Sequence, residues 1–290
     1  MAEGDELVKR DAIVDSIKAE IEKASPTQKQ RIFEAIALAA LGSVPWVGGV
    51  LAAAASYKFG GVDIQRDQLF KQWLEEHQLK LQMLRETLNQ MFGRLEGLGQ
   101  EIEERIASQQ YLALVRKTFR QWDEADTAEK RGLLVNLITN AAGTRICSDD
   151  ILRLFLDWLD RYHEFHFAVI REIYKNQGPT RYDIWVAVYG ENVPRDNSAD
   201  ADLYKLLIRD LNIGEVIRQT RETDYMGRFK TKPRAPRRPS GSGVLESAFE
   251  DTKPWVLTEL GKQFVHYTMT EVVSRIEASS SEAAPGSVKT

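Results

Sequence analysis

Cysteine is almost absent from this 290-residue chain, in which Cys147 is the only one. A single thiol cannot form an internal disulfide, and it excludes zinc or iron–sulfur sites that need several cysteines. The chain also lacks the nucleotide-binding patterns GxxxxGK(S/T) and GxGxxG and the hydrolase pattern GxSxG. We therefore predict a non-enzymatic protein with no catalytic residue, metal site, cofactor or small-molecule substrate.

An excess of charge of one sign is missing as well. The formal net charge is −4, with 28% charged and 43% hydrophobic residues, which are ordinary values for a soluble protein. The chain as a whole is therefore not a general binder of polyanions. Its first residues are acidic where an export signal would be basic, and a lone cysteine fits a reducing compartment. We predict a cytoplasmic location, with peripheral contact with the inner membrane as the alternative.

Charge disappears altogether from Ala35 to Tyr57, a run of 23 residues of which eight are alanine. This length would nominally span a bilayer core, which needs about 20 residues. Gly42 and Pro45 interrupt the run, however, and favour a turn. We predict two short helices, about 28–42 and 47–59.

This apolar hairpin, residues 35–57, has two interpretations. Alanine and glycine would let its helices pack closely in a protein core. Alternatively, the hairpin engages a membrane, and a hydrophobic head on a helical stalk is similar in layout to α-helical pore-forming proteins. The residues predicted to contact the membrane are Leu41, Val44, Trp46, Val47, Val50 and Leu51.

A heptad pattern occupies residues 63–109 and predicts a long amphipathic helix. The pattern fits either a dimeric coiled coil or a bundle with residues 1–24 and 110–142. We favour the bundle because His77 would be costly in the seam of an isolated dimer. The glycines near residues 93–99 predict a break. The seam positions are Phe70, Leu74, His77, Leu81, Leu84, Leu88, Met91, Leu95, Leu98 and Ile102.

After Ser148 the pattern changes from helices alone to helices followed by strands. The predicted order is three helices, a strand, a polar loop, a strand and a last helix, which is the order of a winged helix. The fold class is therefore mainly α, with an elongated N-terminal helical bundle or coiled-coil domain followed by a winged-helix (α+β) domain. The predicted domains are 1–145 and 148–277, with a disordered tail over 278–290. The predicted elements are helices 149–175, 182–189, 199–211 and 259–277 and strands 215–219 and 255–258.

The predicted wing loop, residues 220–252, carries the strongest indication of nucleic acid. Eight basic and only two acidic residues lie between Val216 and Arg238. A basic loop can neutralise phosphates without reading bases, and anionic lipid headgroups would attract the same charges. The basic residues predicted to bind nucleic acid or anionic lipid are Arg218, Arg221, Arg228, Lys230, Lys232, Arg234, Arg237 and Arg238.

The helix that would read bases in a winged helix begins with an acidic stretch, residues 197–202. Phosphates would repel this stretch, which argues against sequence-specific DNA binding and favours a protein-interaction or dimerisation version of the fold. We assign Leu203, Leu206, Leu207 and Leu211 as the apolar positions of this helix.

The sequence contains two further, minor candidates for a chemical site, a histidine pair and the lone cysteine. The spacing of His163 and His166 on a helix would let both bind one metal ion, and Asp160 is nearby. Because the sequence places no third ligand, we favour ordinary surface histidines. A helix start next to Cys147 could lower the pKa of its thiol, but no general base is placed beside it.

A set of mostly apolar positions in the C-terminal half, from about residue 148 to 269, forms a second pattern. These positions are Leu152, Leu159, His166, Val169, Ile170, Leu206, Asp210, Leu211 and the segment Leu257–Val265. Through them the C-terminal half resembles the abortive-infection α family of bacterial phage-defence proteins. The resemblance covers winged-helix core positions and implies a bacterial accessory or antiviral defence role without assigning site residues.

Three hypotheses follow. The first is a membrane-engaging defence-type protein whose winged helix serves as a sensor or docks on a partner. The second is a nucleic-acid-binding winged helix whose N-terminal helices form a homo-oligomer. The third is an interaction protein with neither a membrane nor a nucleic-acid role.

Overall fold

The computed structural model describes residues 28–47, 64–96, 102–176, 178–220 and 247–269. The chain divides into two compact units. Among the described residues, the N-terminal unit ends at Leu156 and the C-terminal unit extends from Asp157 to Met269. Our sequence analysis placed the boundary near 145–150, whereas this division falls within a helix.

The N-terminal unit is helical throughout its described residues. Within it, α1 packs on α4 and α3, α4 packs on α5, and α2 packs on α5. The apolar faces of these helices form the core, where Leu84, Phe119 and Ile138 are almost completely buried. The helices are α1 (Gln28–Ser43), α2 (Ile64–Glu96), α3 (Glu103–Ala107), α4 (Gln109–Glu124) and α5 (Ala128–Gly143).

Helix starts in this unit follow from local sequence. Ser108 precedes α4 and its side chain accepts a hydrogen bond from the Tyr111 N–H at 3.2 Å. Thr127 does the same for α5 through the Lys130 N–H, also at 3.2 Å. These N-caps satisfy amide donors that the first helical turn leaves without partners.

The heptad seam is buried within the chain itself. Leu84, Leu88 and Met91 of α2 are at most 1% exposed, and α2 packs on α5. The bundle interpretation is therefore correct for the described part of the seam. Helix α2 is described as far as Glu96 and continues through Gly93, and the rest of the break predicted near residues 93–99 lies outside the described residues. The side chains of Phe70 and Leu74 lie outside the described residues.

The C-terminal unit combines helices with one described pair of antiparallel strands. Its helices α7, α8 and α9 precede the strands and α10 follows them. Strand register pairs Ile217 with Leu257 and Gln219 with Trp255. The elements are α6 (Asp149–Arg161), which crosses the unit boundary, α7 (Glu164–Lys175), α8 (Arg181–Tyr189), α9 (Ala199–Ile213), β1 (Ile217–Gln219), β2 (Trp255–Leu257) and α10 (Glu259–Thr268).

The single helix predicted over residues 149–175 is wrong, because α6 and α7 are separate helices. His163 is extended, with φ −99° and ψ 169°, and its N–H donates to Nδ1 of His166 at 3.1 Å. The imidazole of the third helical residue thus accepts the N–H of the residue before the helix, which is normally the role of glutamate or glutamine in a capping box. No glycine or proline marks this break in the sequence.

Part of the predicted wing loop is packed rather than free. Ala248 is fully buried, and its N–H donates to the Asp196 carboxylate at 3.0 Å. The Phe249 ring stacks on Tyr204 and meets Trp185 edge-on at 5.1 Å. Residues 247–250 are therefore anchored to α8 and α9, while residues 221–246 lie outside the described part.

Candidate interaction surface on helix α9

Helix α9 has a buried side and an exposed side of different chemistry. The buried side consists of Ala201, Tyr204, Leu207, Ile208 and Leu211. The exposed side displays Leu203, Leu206 and Ile213, whose exposed fractions are 45%, 47% and 65%. Such a row of large apolar side chains on one helix is a candidate binding surface.

The start of α9 is built by a local cap. Ser198 precedes the helix and accepts a hydrogen bond from the Ala201 N–H at 3.2 Å. Asp200 and Asp202 in the first turn are exposed, and they complement the positive end of the helix dipole. The same two carboxylates make the beginning of the exposed side acidic.

Two contacts fix the rotation of α9 in its unit. The buried Tyr204 hydroxyl donates to the Arg181 carbonyl at 2.7 Å, and burial raises the pKa of this hydroxyl. After the helix, Glu215 adopts a left-handed φ of 57° and the Val216 N–H returns to the Leu211 carbonyl at 2.9 Å. The chain then enters β1. Because Tyr204 and Leu211 are held inward, Leu203 and Leu206 point to solvent.

The four leucines that the sequence analysis placed on this helix therefore divide between its two sides. Leu207 and Leu211 are in the core, whereas Leu203 and Leu206 are on the surface. Apolar residues occur around much of this helix, so periodicity alone does not identify the side that faces the core. The 3–4–3 spacing of Leu203, Leu206, Asp210 and Ile213 was the signal available in the sequence.

Beside this surface lies a buried histidine. His166 on α7 is 4% exposed, which corrects the prediction of a surface histidine, and its ring stacks on Tyr162. Its Nδ1 accepts the His163 N–H, while its buried Nε2 has no hydrogen-bond partner among the described residues. The nearest carboxylate oxygen, Oδ2 of Asp210, is 3.9 Å away. Throughout the described part of the chain, no group of three metal-ligating side chains occurs.

We expect His166 to make the C-terminal unit less stable in acid. Burial lowers the pKa of His166 to about 4, although Asp210 opposes this shift. The unfolded chain would bind a proton at pH values below about 6.5, whereas the folded unit would not until about pH 4. The free energy of unfolding should therefore fall as the pH decreases from 6.5 to 4.

Urea unfolding at pH 7.5 and at pH 5 tests this expectation. His166→Gln, which keeps a side-chain acceptor, should lose less stability between the two pH values than the unchanged protein. His77→Gln, in the N-terminal unit, is the control. An identical pH dependence in the His166→Gln variant would show that His166 is not the responsible group.

The residues predicted to contact a membrane fall into three sets. Val44 and Val47 are buried at 2% and 4% exposure, and Leu41 is half-buried. Trp46 is also half-buried, and its indole N–H donates to the Asp123 carboxylate at 2.6 Å. Val50 and Leu51 lie outside the described residues. In the part of the chain that the structure describes, no helix is both long and apolar enough to cross a membrane.

Among the predicted basic residues, only Arg218 is in the described part of the chain. It lies on β1 and is exposed. The other seven residues, from Arg221 to Arg238, fall in the segment 221–246 and lie outside the described residues.

A second surface feature was not singled out by the sequence. A groove of about 210 Å³ lies between α2 and α5. Arg94 at this groove donates to the Asn136 side chain at 2.6 Å, and Arg131 donates to the Ala125 carbonyl at 2.8 Å while covering the Trp122 ring. Both guanidinium groups are thus held by neutral partners.

No family model matches the chain, and no curated protein or solved structure matches it either. The resemblance to the abortive-infection α family therefore stays a prediction from sequence.

Proposed function

We propose that this chain is a non-enzymatic binding protein whose C-terminal unit is a winged-helix domain that docks on a protein. The exposed side of α9 would form the docking surface. A bacterial defence role is retained in this proposal on the sequence resemblance alone.

The geometry of the C-terminal unit supports the winged-helix assignment. Helices α7, α8 and α9 precede an antiparallel strand pair, as they do in that fold. In addition, the Trp255 N–H donates to the Pro179 carbonyl at 2.9 Å. This bond brings the segment between α7 and α8 to the edge of β2, where a winged helix has its third strand.

The observation that carries the protein-docking role is the exposed side of α9. In this proposal α9 is the helix that would enter the major groove of DNA. The first residues of such a helix read base edges, mostly through arginine, lysine, asparagine and glutamine. In the first half of α9 the large exposed side chains are instead Asp200, Asp202, Leu203 and Leu206. Asp200 and Asp202 at its exposed start would also repel phosphates. Apolar side chains with a charged rim are typical of protein interfaces.

Binding of nucleic acid without sequence preference is a second candidate. Arg218 is exposed on β1, and the basic residues that follow it would add phosphate contacts. Such binding should weaken steeply with salt. It would also weaken in a variant with Arg234, Arg237 and Arg238 changed to glutamate.

The membrane hypothesis has less structural support. Val44 and Val47 would have to leave the helical core before they could contact lipid, because both are buried. Flotation with anionic liposomes, compared with a variant lacking residues 35–57, tests this role.

Selection of bound duplexes from a random DNA library at low salt tests the proposed function. We expect no enriched sequence, and any residual binding should be unchanged in Leu206→Asp. An enriched motif whose binding is lost in Leu206→Asp would contradict the proposal, because α9 would then read DNA.

Folding of the variants is checked with a matched pair on the same helix. Leu206→Asp should leave the melting temperature almost unchanged because Leu206 is 47% exposed. Leu207→Asp should unfold the C-terminal unit because Leu207 is 3% exposed, and burying an unpaired charge costs several kcal/mol.

A further inference from the structure

The exposed side of α9 has the spacing of a coiled-coil seam. Ala199, Leu203, Leu206, Asp210 and Ile213 follow one another at intervals of four, three, four and three residues. On a helix with 3.6 residues per turn these positions form one stripe. Leu206 lies at the middle of the stripe, which begins at the small residue Ala199 and ends at the large residue Ile213.

Charges of opposite sign lie along one flank of this stripe. Asp202 is 71% exposed at the side chain and pairs weakly with Lys205 of the same helix at 3.4 Å. Arg209 is exposed and makes no ion pair with any residue that the structure describes. Asp202 and Arg209 are four residues before and three residues after Leu206, so they are almost symmetric about it.

We propose that α9 pairs with the α9 of a second copy of this chain in an antiparallel, two-fold symmetric arrangement centred on Leu206. Two-fold symmetry places Leu206 opposite its own copy and Ala199 opposite Ile213 of the partner helix. It also places Asp202 of each helix opposite Arg209 of the other helix, which gives two contacts between opposite charges. This inference rests on the proposed function, because it names the protein that docks on α9.

Self-pairing is favoured because α9 is complementary to itself in this one direction. In a parallel pair the flank that carries Asp202 and Arg209 would face the other flank of the partner helix, whereas in the antiparallel pair the two equal flanks meet and both attractions form. In addition, only the antiparallel pair packs the small Ala199 of one helix against the large Ile213 of the other. The antiparallel helix dipoles add to the preference.

Asp210 is the one charged residue within the stripe. Its side chain is 27% exposed and its Oδ2 lies 3.9 Å from Nε2 of His166. It is thus partly withdrawn into its own unit. A carboxylate at this position still weakens the seam, as polar seam residues do when they specify register.

The pair should be weak and concentration-dependent. Helix α9 has 15 residues and is therefore about 22 Å long, so one helix pair buries less surface than a stable dimer interface. We expect reversible dimerisation of the full-length chain at micromolar concentrations.

Sedimentation velocity over a concentration series tests the proposal. Leu206→Asp should weaken dimerisation by more than about tenfold, because it places two carboxylates opposite each other at the two-fold axis. Leu79→Asp, at a 66% exposed position of α2, should have no effect. A protein that stays monomeric at all concentrations overturns the proposal, as does a dimer that Leu206→Asp leaves intact.

Charge reversal tests the direction of pairing. Asp202→Arg and Arg209→Asp should each weaken dimerisation by about tenfold, since each turns two attractions into two repulsions. The double variant should restore the affinity of the unchanged chain. Failure of the double variant to recover overturns the antiparallel register.

Disulfide trapping tests the same register independently, in a Cys147→Ser background. Leu206→Cys alone should cross-link rapidly on oxidation. Ala199→Cys and Ile213→Cys should cross-link only when the two variants are mixed. Cross-linking of Ala199→Cys with itself would indicate parallel pairing and overturn the proposal.

These outcomes are distinguishable from failure of the proposed function. A chain that is monomeric and shows no DNA sequence preference overturns self-pairing but keeps docking of another protein on α9. A sequence preference that depends on Leu206 overturns both.

Discussion

Replacing Ile36 with aspartate is expected to unfold the helical bundle of the N-terminal unit. Ile36 lies on α1 and is fully buried, and α1 packs on α4 and α3. A carboxylate at this position would be buried without a partner, which costs about 4 kcal/mol or more. Such a loss is comparable with the whole stability of many domains. Urea unfolding followed by circular dichroism measures the effect.

Leu38→Asp provides the matched control two residues away. Leu38 is 60% exposed on the same helix, so the free energy of unfolding should change by at most about 0.5 kcal/mol. Equal effects of the two substitutions would contradict the burial of α1. Both substitutions introduce aspartate, on opposite sides of one helix. The comparison therefore separates the effect of burial on stability from the effect of helix propensity.

This experiment also bears on the membrane hypothesis. Ile36 is the second residue of the charge-free run, and Val44 and Val47 of that run are buried with it. If Ile36→Asp unfolds the unit while the unchanged protein does not bind liposomes, residues 36–47 serve as core at rest. Liposome binding by the unchanged protein that is lost in Leu38→Asp, a variant that keeps its fold, would instead support lipid contact by the hairpin.

The second large effect is expected at Gly261, where α10 begins. A β-carbon at this position would lie 2.1 Å from the Val216 carbonyl oxygen and 3.1 Å from its carbon. That carbonyl also accepts the Thr258 N–H at 3.0 Å, so it cannot move without breaking the junction of β1 and β2. Gly261→Ala should therefore cost about 2–4 kcal/mol despite the higher helix propensity of alanine.

Gly132→Ala is the corresponding control in α5. No atom lies within 4 Å of a β-carbon built there, and Gly132 is exposed. Alanine in an exposed helix interior should stabilise the protein by roughly 0.5–1 kcal/mol. Thermal unfolding of both variants should thus give shifts of opposite sign. A harmless Gly261→Ala would show that the contact between α10 and β1 is looser than the distances indicate.

Local sequence was sufficient for the type and approximate bounds of most described elements. Ser108, Thr127 and Ser198 each cap the helix that follows, and a side-chain oxygen before a first turn is a short-range signal. The strand pair is also predictable, since Ile217 and Leu257 lie in apolar segments separated by a polar stretch. The mainly helical fold could therefore be read from the sequence.

Two features could not be predicted from the sequence. The first is the break between α6 and α7, because the short-range bond from the His163 N–H to the His166 imidazole is not a standard capping signal. The second depends on contacts between distant residues. The anchoring of residues 247–250 depends on Asp196 and on the rings of Trp185 and Tyr204, which are far away in the chain.

The candidate site shows the same division. The sequence by itself determined that α9 begins with carboxylates and carries leucines along its length. Only the tertiary structure decided that Leu207 and Leu211 are core while Leu203 and Leu206 are exposed, because Tyr204 and the turn at Glu215 set the rotation of the helix. Hydrophobicity is a property of each residue, whereas burial depends on what packs against it.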